Sequence, residues 1–158
     1  MLKGILLDTI FFIRLLDKTD KLHENSKGYF KFFLQNEFEL MISTISIAEY
    51  CIGGNVDELP INKLQIVPFN FEHLLKTAEF AKVVFRNRKN LNLKERNIIP
   101  NDTKLFAQAD IQKNVEFYLS SDTESFKIYK FLQQHIPPRF QFIDLNVSYS
   151  QTFGILDL

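Results

Sequence analysis

The sequence predicts an α/β fold, a three-layer α/β/α sandwich with a mainly parallel central sheet. Gly4 to Leu7 is an uninterrupted apolar run, which is typical of a strand buried on both faces. Apolar runs of strand length then alternate along the chain with segments of helical periodicity, as in α/β proteins. Two of the strand-like runs end close to an acid, and ligands of open α/β sheets bind outside the carboxyl ends of the strands.

Length and composition restrict the possible classes of protein. A chain of 158 residues suits one ordinary domain, and we predict a single domain over 1–158. Acidic and basic residues are equal in number, so no global positive field attracts nucleic acid, and any such binding requires a local patch. The single cysteine, Cys51, excludes an internal disulfide framework and a cysteine-based zinc site.

The compartment is expected to be the cytoplasm. A single cysteine fits a reducing environment. No apolar run approaches the ~20 residues that span a bilayer, so we expect no membrane association. The N-terminal apolar run leads directly into Asp8 and Arg14, unlike the pattern of a secretory signal.

Apolar spacing predicts the elements of the first part of the chain. A short helix over Ile10 to Leu16 is apolar on nearly all sides and should pack under the sheet. Polar residues 18–26 predict a loop before a second helix. The apolar residues of that helix are Tyr29, Phe30, Phe32, Phe33 and Leu34. Phe38 to Ile42 predicts the second strand, and a third helix over Ile45 to Ile52 should stop at two glycines.

The middle of the chain contains the clearest amphipathic helix. Leu64 to Phe69 predicts a short strand before it. The apolar residues of the helix recur at three- and four-residue spacing, at Phe71, Leu74, Leu75, Ala78, Ala81, Val84 and Phe85. Further on, Pro100 and Asn101 predict a turn that leads into a helix starting at Asp102.

The last part of the chain repeats the strand–helix alternation. Val115 to Leu119 predicts a strand, and a helix follows from Asp122 to about Gln134, where two prolines end it. Phe140 to Leu145 predicts a final strand. Residues 148–158 are expected to add a short turn of helix.

Four carboxylates are the candidate functional residues. Asp8 and Asp122 each follow a strand and begin a helix, and Asp102 begins a helix after a turn. Glu49 lies inside the third helix between apolar neighbours, which suggests that it is not freely solvated. Four acids without a paired lysine or histidine would repel one another strongly. A hard divalent cation such as Mg²⁺ or Mn²⁺, which takes carboxylate oxygens, is the natural partner.

Each acid also has a structural interpretation that the sequence leaves open. The three aspartates suit the first turn of a helix, where a carboxylate caps free backbone N–H groups. Ser46 with Glu49, and Ser121 with Glu124, fit the capping-box spacing, so Glu49 is alternatively part of an N-terminal cap. The three histidines share no pattern and are expected to be structural or surface residues.

Four short motifs occur in a defined order along the chain. They are Ile5-Leu6-Leu7-Asp8-Thr9, Ser43-x-x-Ser46-x-x-Glu49, Pro100-Asn101-Asp102 followed by Ala107 and Ala109, and Ser120-x-Asp122. Together they resemble the PIN-domain family, in particular its VapC-type toxin ribonucleases, from Leu2 to about Asn146. The resemblance implies that the family's acidic cluster and its small hydroxyl positions correspond to Asp8, Glu49, Asp102 and Asp122, and to Thr9 and Ser120.

The resemblance also implies an activity and partners. It implies a Mg²⁺- or Mn²⁺-dependent endoribonuclease that hydrolyses RNA phosphodiester bonds and is the toxin of a toxin–antitoxin pair. A cognate antitoxin is then expected to cover the acidic crevice. We expect a homodimer through an apolar helix face such as that of Tyr29, Phe30 and Phe33. The candidate RNA contact is the basic segment with Arg86, Arg88, Lys89, Lys94 and Arg96.

One position departs from the family pattern and keeps an alternative open. PIN domains commonly place Asn two residues after the first acid, where this chain has Ile10. The alternative is a PIN-like RNA-binding or scaffold protein with weak or no catalysis. Phosphatases of the haloacid dehalogenase class also begin with an apolar strand that ends in Asp. They are disfavoured, because their pattern has a second Asp at the position of Ile10.

Overall fold

One parallel sheet forms the centre of the molecule. The computed structural model of the chain describes residues 1–87, 89 and 98–155, without the side chains of residues 98–100. The strands are β1 (Gly4–Leu7), β2 (Glu39–Ser43), β3 (Gln65–Val67), β4 (Val115–Ser120) and β5 (Gln141–Asp144). They pair in the order β3-β2-β1-β4-β5, and every pair is parallel.

Helices cover both faces of this sheet. They are α1 (Thr9–Leu16), α2 (His23–Gln35), α3 (Thr44–Tyr50), α4 (Phe71–Arg86), α5 (Ile98–Ile111), α6 (Thr123–His135) and α7 (Tyr149–Thr152). The predicted three-layer sandwich with a parallel sheet is therefore confirmed. Within the described ranges, none of the helices combines the length and the apolar character needed to cross a membrane.

The central strand β1 supplies side chains to two hydrophobic cores. Ile5 and Leu7 enter the core shared with α1 and α2, whereas Leu6 enters the core shared with α4, α5 and α6. All three side chains are at most 1% exposed. Burial on both faces is the reason that β1 is apolar at every position instead of alternating.

Two helix boundaries in the first half differ from the prediction. Helix α2 begins at His23, inside the segment predicted as a loop, and Ser26 is buried within it. Helix α3 ends at Tyr50, two residues earlier than predicted. An added Cβ on Gly54 would lie 2.6 Å from Cε1 of the Tyr50 ring. Gly54 therefore allows close packing of this ring and is not a helix cap.

Helix α5 begins at Ile98, four residues before the predicted start at Asp102. The prediction is wrong because Pro100 lies in the first turn of the helix. Proline is tolerated there, since the first backbone N–H groups of a helix have no acceptor within it. Asp102 consequently lies in the second turn of α5 and does not cap it.

The aromatic face of α2 is buried inside the protein. Tyr29 and Phe33 are 0% exposed, and Phe30 is half-buried. The hydroxyl of Tyr29 donates to the carbonyl oxygen of Val147 at 2.7 Å, and the Phe153 ring lies 6.0 Å from the Phe33 ring. The predicted dimer contact through this face is therefore wrong, because the C-terminal segment already covers it.

Candidate active site

The predicted acids meet in one pocket at the carboxyl edge of the sheet. Parallel register places Leu7 of β1 beside Ile42 of β2 and Leu119 of β4, so these three strands end together. A pocket of about 450 Å³ opens at this edge. We call it the acid pocket, and its lining includes Asp8, Thr9, Glu49, Asp102 and Asp122.

Asp8 is both a helix cap and a wall of the acid pocket. Its Oδ1 accepts a hydrogen bond from the backbone N–H of Phe11 at 3.0 Å, which caps α1, and its Oδ2 accepts one from the hydroxyl of Ser120 at 2.5 Å. Burial raises the pKa of Asp8 to about 7 despite these bonds, and the charges of Asp122 and Glu49 raise it further. The capping interpretation is correct, and the same residue also faces the pocket.

Ser120 connects two of the acids. Its buried hydroxyl donates to Asp8 and accepts from the backbone N–H of Asp122 at 3.1 Å. Asp122 in turn caps α6, because its Oδ1 accepts from the backbone N–H groups of Glu124 and Ser125 at 2.9 and 3.4 Å. Ser120 therefore fixes the relative position of Asp8 and Asp122.

Asp102 contributes the carboxylate oxygen that most directly indicates a ligand. The residue is 9% exposed, and its Oδ2 is buried without a hydrogen-bond partner among the described residues. Burial raises the pKa of Asp102 to about 7 against a hydrogen bond from Ser125, and the charges of Asp122 and Asp8 raise it further. A buried carboxylate oxygen without a partner is unfavourable unless a proton or a cation compensates it.

Glu49 reaches the acid pocket from an exposed position on α3. It is exposed, so the prediction from its apolar neighbours is wrong, because α3 is a short helix of which only Ser46 is buried. Oε2 of Glu49 accepts a hydrogen bond from the hydroxyl of Thr9 at 3.0 Å. The cap of α3 is Ser43, whose hydroxyl accepts from the backbone N–H of Ile45. The capping-box interpretation with Ser46 is therefore also wrong.

The chemistry of the pocket fits a hard divalent cation. Within the described ranges, no group of three or more His, Cys, Asp or Glu side chains is arranged to hold a metal ion. Asp8 accepts hydrogen bonds through both carboxylate oxygens, and Asp122 and Glu49 each through one, but a carboxylate has about four acceptor positions, so positions remain for a cation. The four acids offer carboxylate oxygens as metal ligands, which Mg²⁺ and Mn²⁺ prefer. Among the described residues, Oδ2 of Asp102 is buried and has no hydrogen-bond partner.

Arg14 and Tyr118 also line the pocket, and sequence reasoning did not identify them as site residues. Nη1 of Arg14 donates to both carboxylate oxygens of Asp20 at 2.8 and 3.0 Å, and its Nε donates to the hydroxyl of Ser121 at 2.9 Å. Tyr118 lies in β4 two residues before Ser120, so both side chains project from the same face of the strand. That two-residue spacing was the available signal for Tyr118, and no local pattern marks Arg14.

The other residues that the sequence analysis singled out do not add polar groups to the acid pocket. Ile10 is half-buried and brings an apolar side chain to the pocket lining. Arg86 and Lys89 are exposed and do not belong to that lining. Arg88 lies outside the described residues, as do Lys94 and Arg96.

The histidines have the structural roles that the sequence predicted. His73 is buried, and its Nδ1 accepts from the backbone N–H of Asn70, which completes the cap of α4. A ring nitrogen of His23 lies 3.3 Å from the carbonyl oxygen of Arg14. His135 makes a similar contact within α6, 3.0 Å from the carbonyl oxygen of Phe131. None of the three lines the acid pocket.

A wider pocket of about 740 Å³ adjoins the acid pocket. The two share Thr9, Ile13, Glu49 and Asn101 in their linings. The further lining of the second pocket, which we call the side groove, mixes apolar and acidic side chains and includes Leu16, Asp17, Tyr50, Ile52 and Glu58. The site therefore continues into a groove suited to apolar and basic groups.

Solved structures resemble this chain in fold, although no protein-family model and no curated protein sequence matches it. VapBC2 from Rickettsia felis, bound to a DNA fragment from its promoter, matches with a TM-score of 0.62 at 15% identity, over 89% of this chain and 98% of that chain. DNA-bound VapBC from Salmonella typhimurium matches with a TM-score of 0.59 at 16% identity, over 92% and 99%. FitAcB from Neisseria gonorrhoeae matches with a TM-score of 0.60 at 17% identity, over 89% and 97%.

Identities this low show the fold alone. That fold is the one that the sequence motifs predicted.

Proposed function

Because the chain has a PIN-like fold, we propose that it is a Mg²⁺- or Mn²⁺-dependent endoribonuclease and the toxin of a toxin–antitoxin pair. The observation that carries the proposal is the acid pocket, where four acids from four separate segments meet at the carboxyl edge of the sheet. Asp8, Asp102 and Asp122 would hold the cation. Glu49, the most exposed of the four, would bind through water or orient the nucleophile.

The surrounding residues arrange these acids for hydrolysis. A divalent cation bound here would lower the pKa of water and stabilise charge on the phosphoryl and leaving oxygens. Thr9 holds Glu49, and Ser120 holds Asp8 at a fixed position relative to Asp122. Among the described residues, no His or Cys lines the pocket, which favours attack by water over attack by a side chain.

The test is RNA cleavage by an Asp8→Asn variant. Asparagine keeps an acceptor for the backbone N–H of Phe11 and removes the negative charge that the cation needs, so Mn²⁺-dependent cleavage by purified protein should fall to background. Asp144→Asn is the matched control. Asp144 ends β5 at the same edge of the sheet, accepts from the backbone N–H of Asn146 and does not line the acid pocket.

The control should cut RNA at the wild-type rate. Unchanged cleavage by Asp8→Asn would refute the assignment of this site. Equal losses of RNA cleavage in both variants would mean that the substitutions disturb folding and not the site.

A PIN-like RNA-binding or scaffold protein with little catalysis is the second candidate. The observation that favours it is Ile10, whose apolar side chain lies in the pocket lining next to the acids. Titration calorimetry with Mn²⁺ separates the two candidates. Measurable Mn²⁺ binding that Asp8→Asn removes supports the nuclease, whereas no binding and no cleavage support the scaffold.

We also propose an antitoxin as the protein partner. The side groove joins the acid pocket and carries exposed apolar side chains, with Ile52 at 89% exposure, beside the acids Asp17 and Glu58. Its chemistry suits a segment with apolar and basic side chains, and the similar solved structures are VapBC and FitAcB assemblies. The test is expression of the protein in bacteria, alone and together with the product of a small neighbouring reading frame. The protein alone should arrest growth, and co-expression should relieve the arrest, as expected of a toxin that acts in the cytoplasm.

RNA contact and dimerisation complete the proposal. Arg86 is the last residue of α4, Arg88 and Lys89 come shortly after it in the sequence, and these three residues are our candidates for phosphate contacts. A homodimer would use another face than the buried one on α2. Helix α4 offers an exposed apolar face with Phe71, Leu74 and Leu75 at 70%, 50% and 59% exposure, and sedimentation velocity tests whether two copies associate.

A further inference from the structure

Tyr118 presents a hydroxyl to the acid pocket that no described residue satisfies. The residue is 0% exposed, lines the pocket and has no hydrogen-bond partner for its hydroxyl. Buried tyrosine hydroxyls usually find a partner, because a buried polar group without one is unfavourable. The other buried tyrosines follow this rule. Tyr29 donates to the carbonyl oxygen of Val147, and Tyr129 donates to that of Phe140.

The aromatic core fixes where this hydroxyl points. The centroid of the Tyr118 ring lies 5.0 Å from that of Phe106, 5.9 Å from that of Phe140 and 5.6 Å from that of Phe142. Rings packed on several sides hold the tyrosine ring in place. The hydroxyl therefore stays at the acid pocket.

The same pocket contains a second unsatisfied buried atom, Oδ2 of Asp102. Phe106, which contacts the Tyr118 ring, follows Asp102 by one turn of α5, so both side chains project from the same face of that helix. One atom is a donor and the other an acceptor, yet they are not bonded to each other. A water molecule between them satisfies both, since it accepts from the phenol and donates to the carboxylate.

We propose that Tyr118 is a positioning residue of the cation site, whose hydroxyl donates a hydrogen bond to a water molecule that Asp102 also holds. The inference rests on the proposed function and deepens it. The phenol donates its hydrogen bond to one lone pair of the water, and Asp102 accepts a hydrogen bond from the water. The other lone pair remains available for the divalent cation.

The test compares Tyr118→Phe with Tyr129→Phe by titration calorimetry with Mn²⁺. Loss of a group that orients the surroundings of a metal typically costs 10–100-fold in affinity, so Tyr118→Phe should weaken Mn²⁺ binding about tenfold. Tyr129→Phe is matched, because its ring also packs on Phe140 and Phe142 but its hydroxyl is bonded to a backbone carbonyl. It should leave the Mn²⁺ affinity unchanged and lower the melting temperature.

Two readouts distinguish the hydroxyl from the packing of the core. Without Mn²⁺, Tyr118→Phe should melt close to the wild type, because its hydroxyl bonds no described protein group that would lose a partner. The sequence contains no Trp, so near-ultraviolet difference absorption on Mn²⁺ addition reports on tyrosine. The wild-type signal should disappear in Tyr118→Phe and persist in Tyr129→Phe.

The outcomes separate this inference from the proposed function. Wild-type Mn²⁺ binding with unchanged affinity in Tyr118→Phe overturns the role of Tyr118 alone. Equal losses of affinity in both variants overturn it too, because they would reflect the shared core. A wild-type protein that does not bind Mn²⁺ overturns the proposed function and this inference with it.

Discussion

At the scale of the residue, Asp8 shows that the acid pocket opposes folding. Burial is the main cause that raises its pKa from the ordinary value of 3.8 to about 7 in the folded protein. The folded state therefore holds a proton that the unfolded chain releases between these pH values. The contribution of Asp8 to the free energy of unfolding of the metal-free protein therefore falls as the pH rises from about 4 to about 7, by about 1.4 kcal/mol per pKa unit.

Asp8→Asn should reverse part of this effect. In metal-free buffer at pH 8 we expect the variant to melt several degrees above the wild type, and near pH 4 the two should be alike. Asparagine is neutral and still caps α1 through its carbonyl oxygen, so the burial of charge is removed and, of the two hydrogen bonds to the side chain, only the one from Ser120 changes. Differential scanning calorimetry across this pH range measures the effect, and parallel melting curves at every pH would contradict it.

Residues with a local signature were predictable, and those placed by distant packing were not. Asp8 and Asp122 each follow a strand and begin a helix, a pattern visible in a few consecutive residues. The exposure of Glu49 depends on how α3 lies against the sheet, and its neighbours in sequence suggested the opposite. Arg14 reaches the site because separate elements pack beside it, which no short segment encodes, whereas the spacing of Tyr118 from Ser120 carried a local signal.

At the scale of the element, Arg14 links α1 by hydrogen bonds to the segments that contain Asp20 and Ser121. Its side chain is 18% exposed and bonds both oxygens of Asp20 and the hydroxyl of Ser121 at the end of β4. It thereby connects three segments at the rim of the acid pocket. Charge-assisted bonds with this geometry are among the stronger ones in proteins.

Arg14→Ala should therefore lower the free energy of unfolding by about 1–3 kcal/mol, as measured by denaturant titration. Lys3→Ala is the control, because Lys3 pairs with Glu116 at 3.4 Å on the surface, where the two side chains are 63% and 44% exposed. Exposed pairs contribute about 0–1 kcal/mol, so the control should be nearly neutral. Equal effects of the two substitutions would show that Arg14 does not fasten α1.

The boundaries of elements were less predictable than their existence. All five strands and the main helices follow from apolar periodicity, because each must bury an apolar face. The start of α5 was misplaced because Pro100 and Asn101 predict a turn equally well when they lie in a first helical turn. The start of α2 was missed because its polar residues before Tyr29 become helical only through tertiary packing.

At the scale of the whole molecule, the proposed function requires a charge distribution that combines an acidic pocket with binding of a polyanion. The formal net charge is zero, so long-range steering toward RNA is absent. A bound divalent cation offsets the acids locally but attracts only the phosphate at the site. Affinity along an RNA strand then requires basic side chains outside the pocket, and the segment that follows α4 is the candidate.

Neutralising this segment should change how RNA binding responds to salt. For the triple variant Arg86→Gln, Arg88→Gln and Lys89→Gln, the slope of log K against log salt concentration should fall in magnitude by about 2, since each single-strand phosphate contact contributes about 0.7. The control replaces three lysines on the opposite side of the sheet, at Lys21, Lys27 and Lys31, which are also exposed. Binding is measured without Mn²⁺ so that the RNA is not cut. Equal slopes in the two triple variants would mean that net charge alone governs binding and that the segment after α4 makes no specific phosphate contacts.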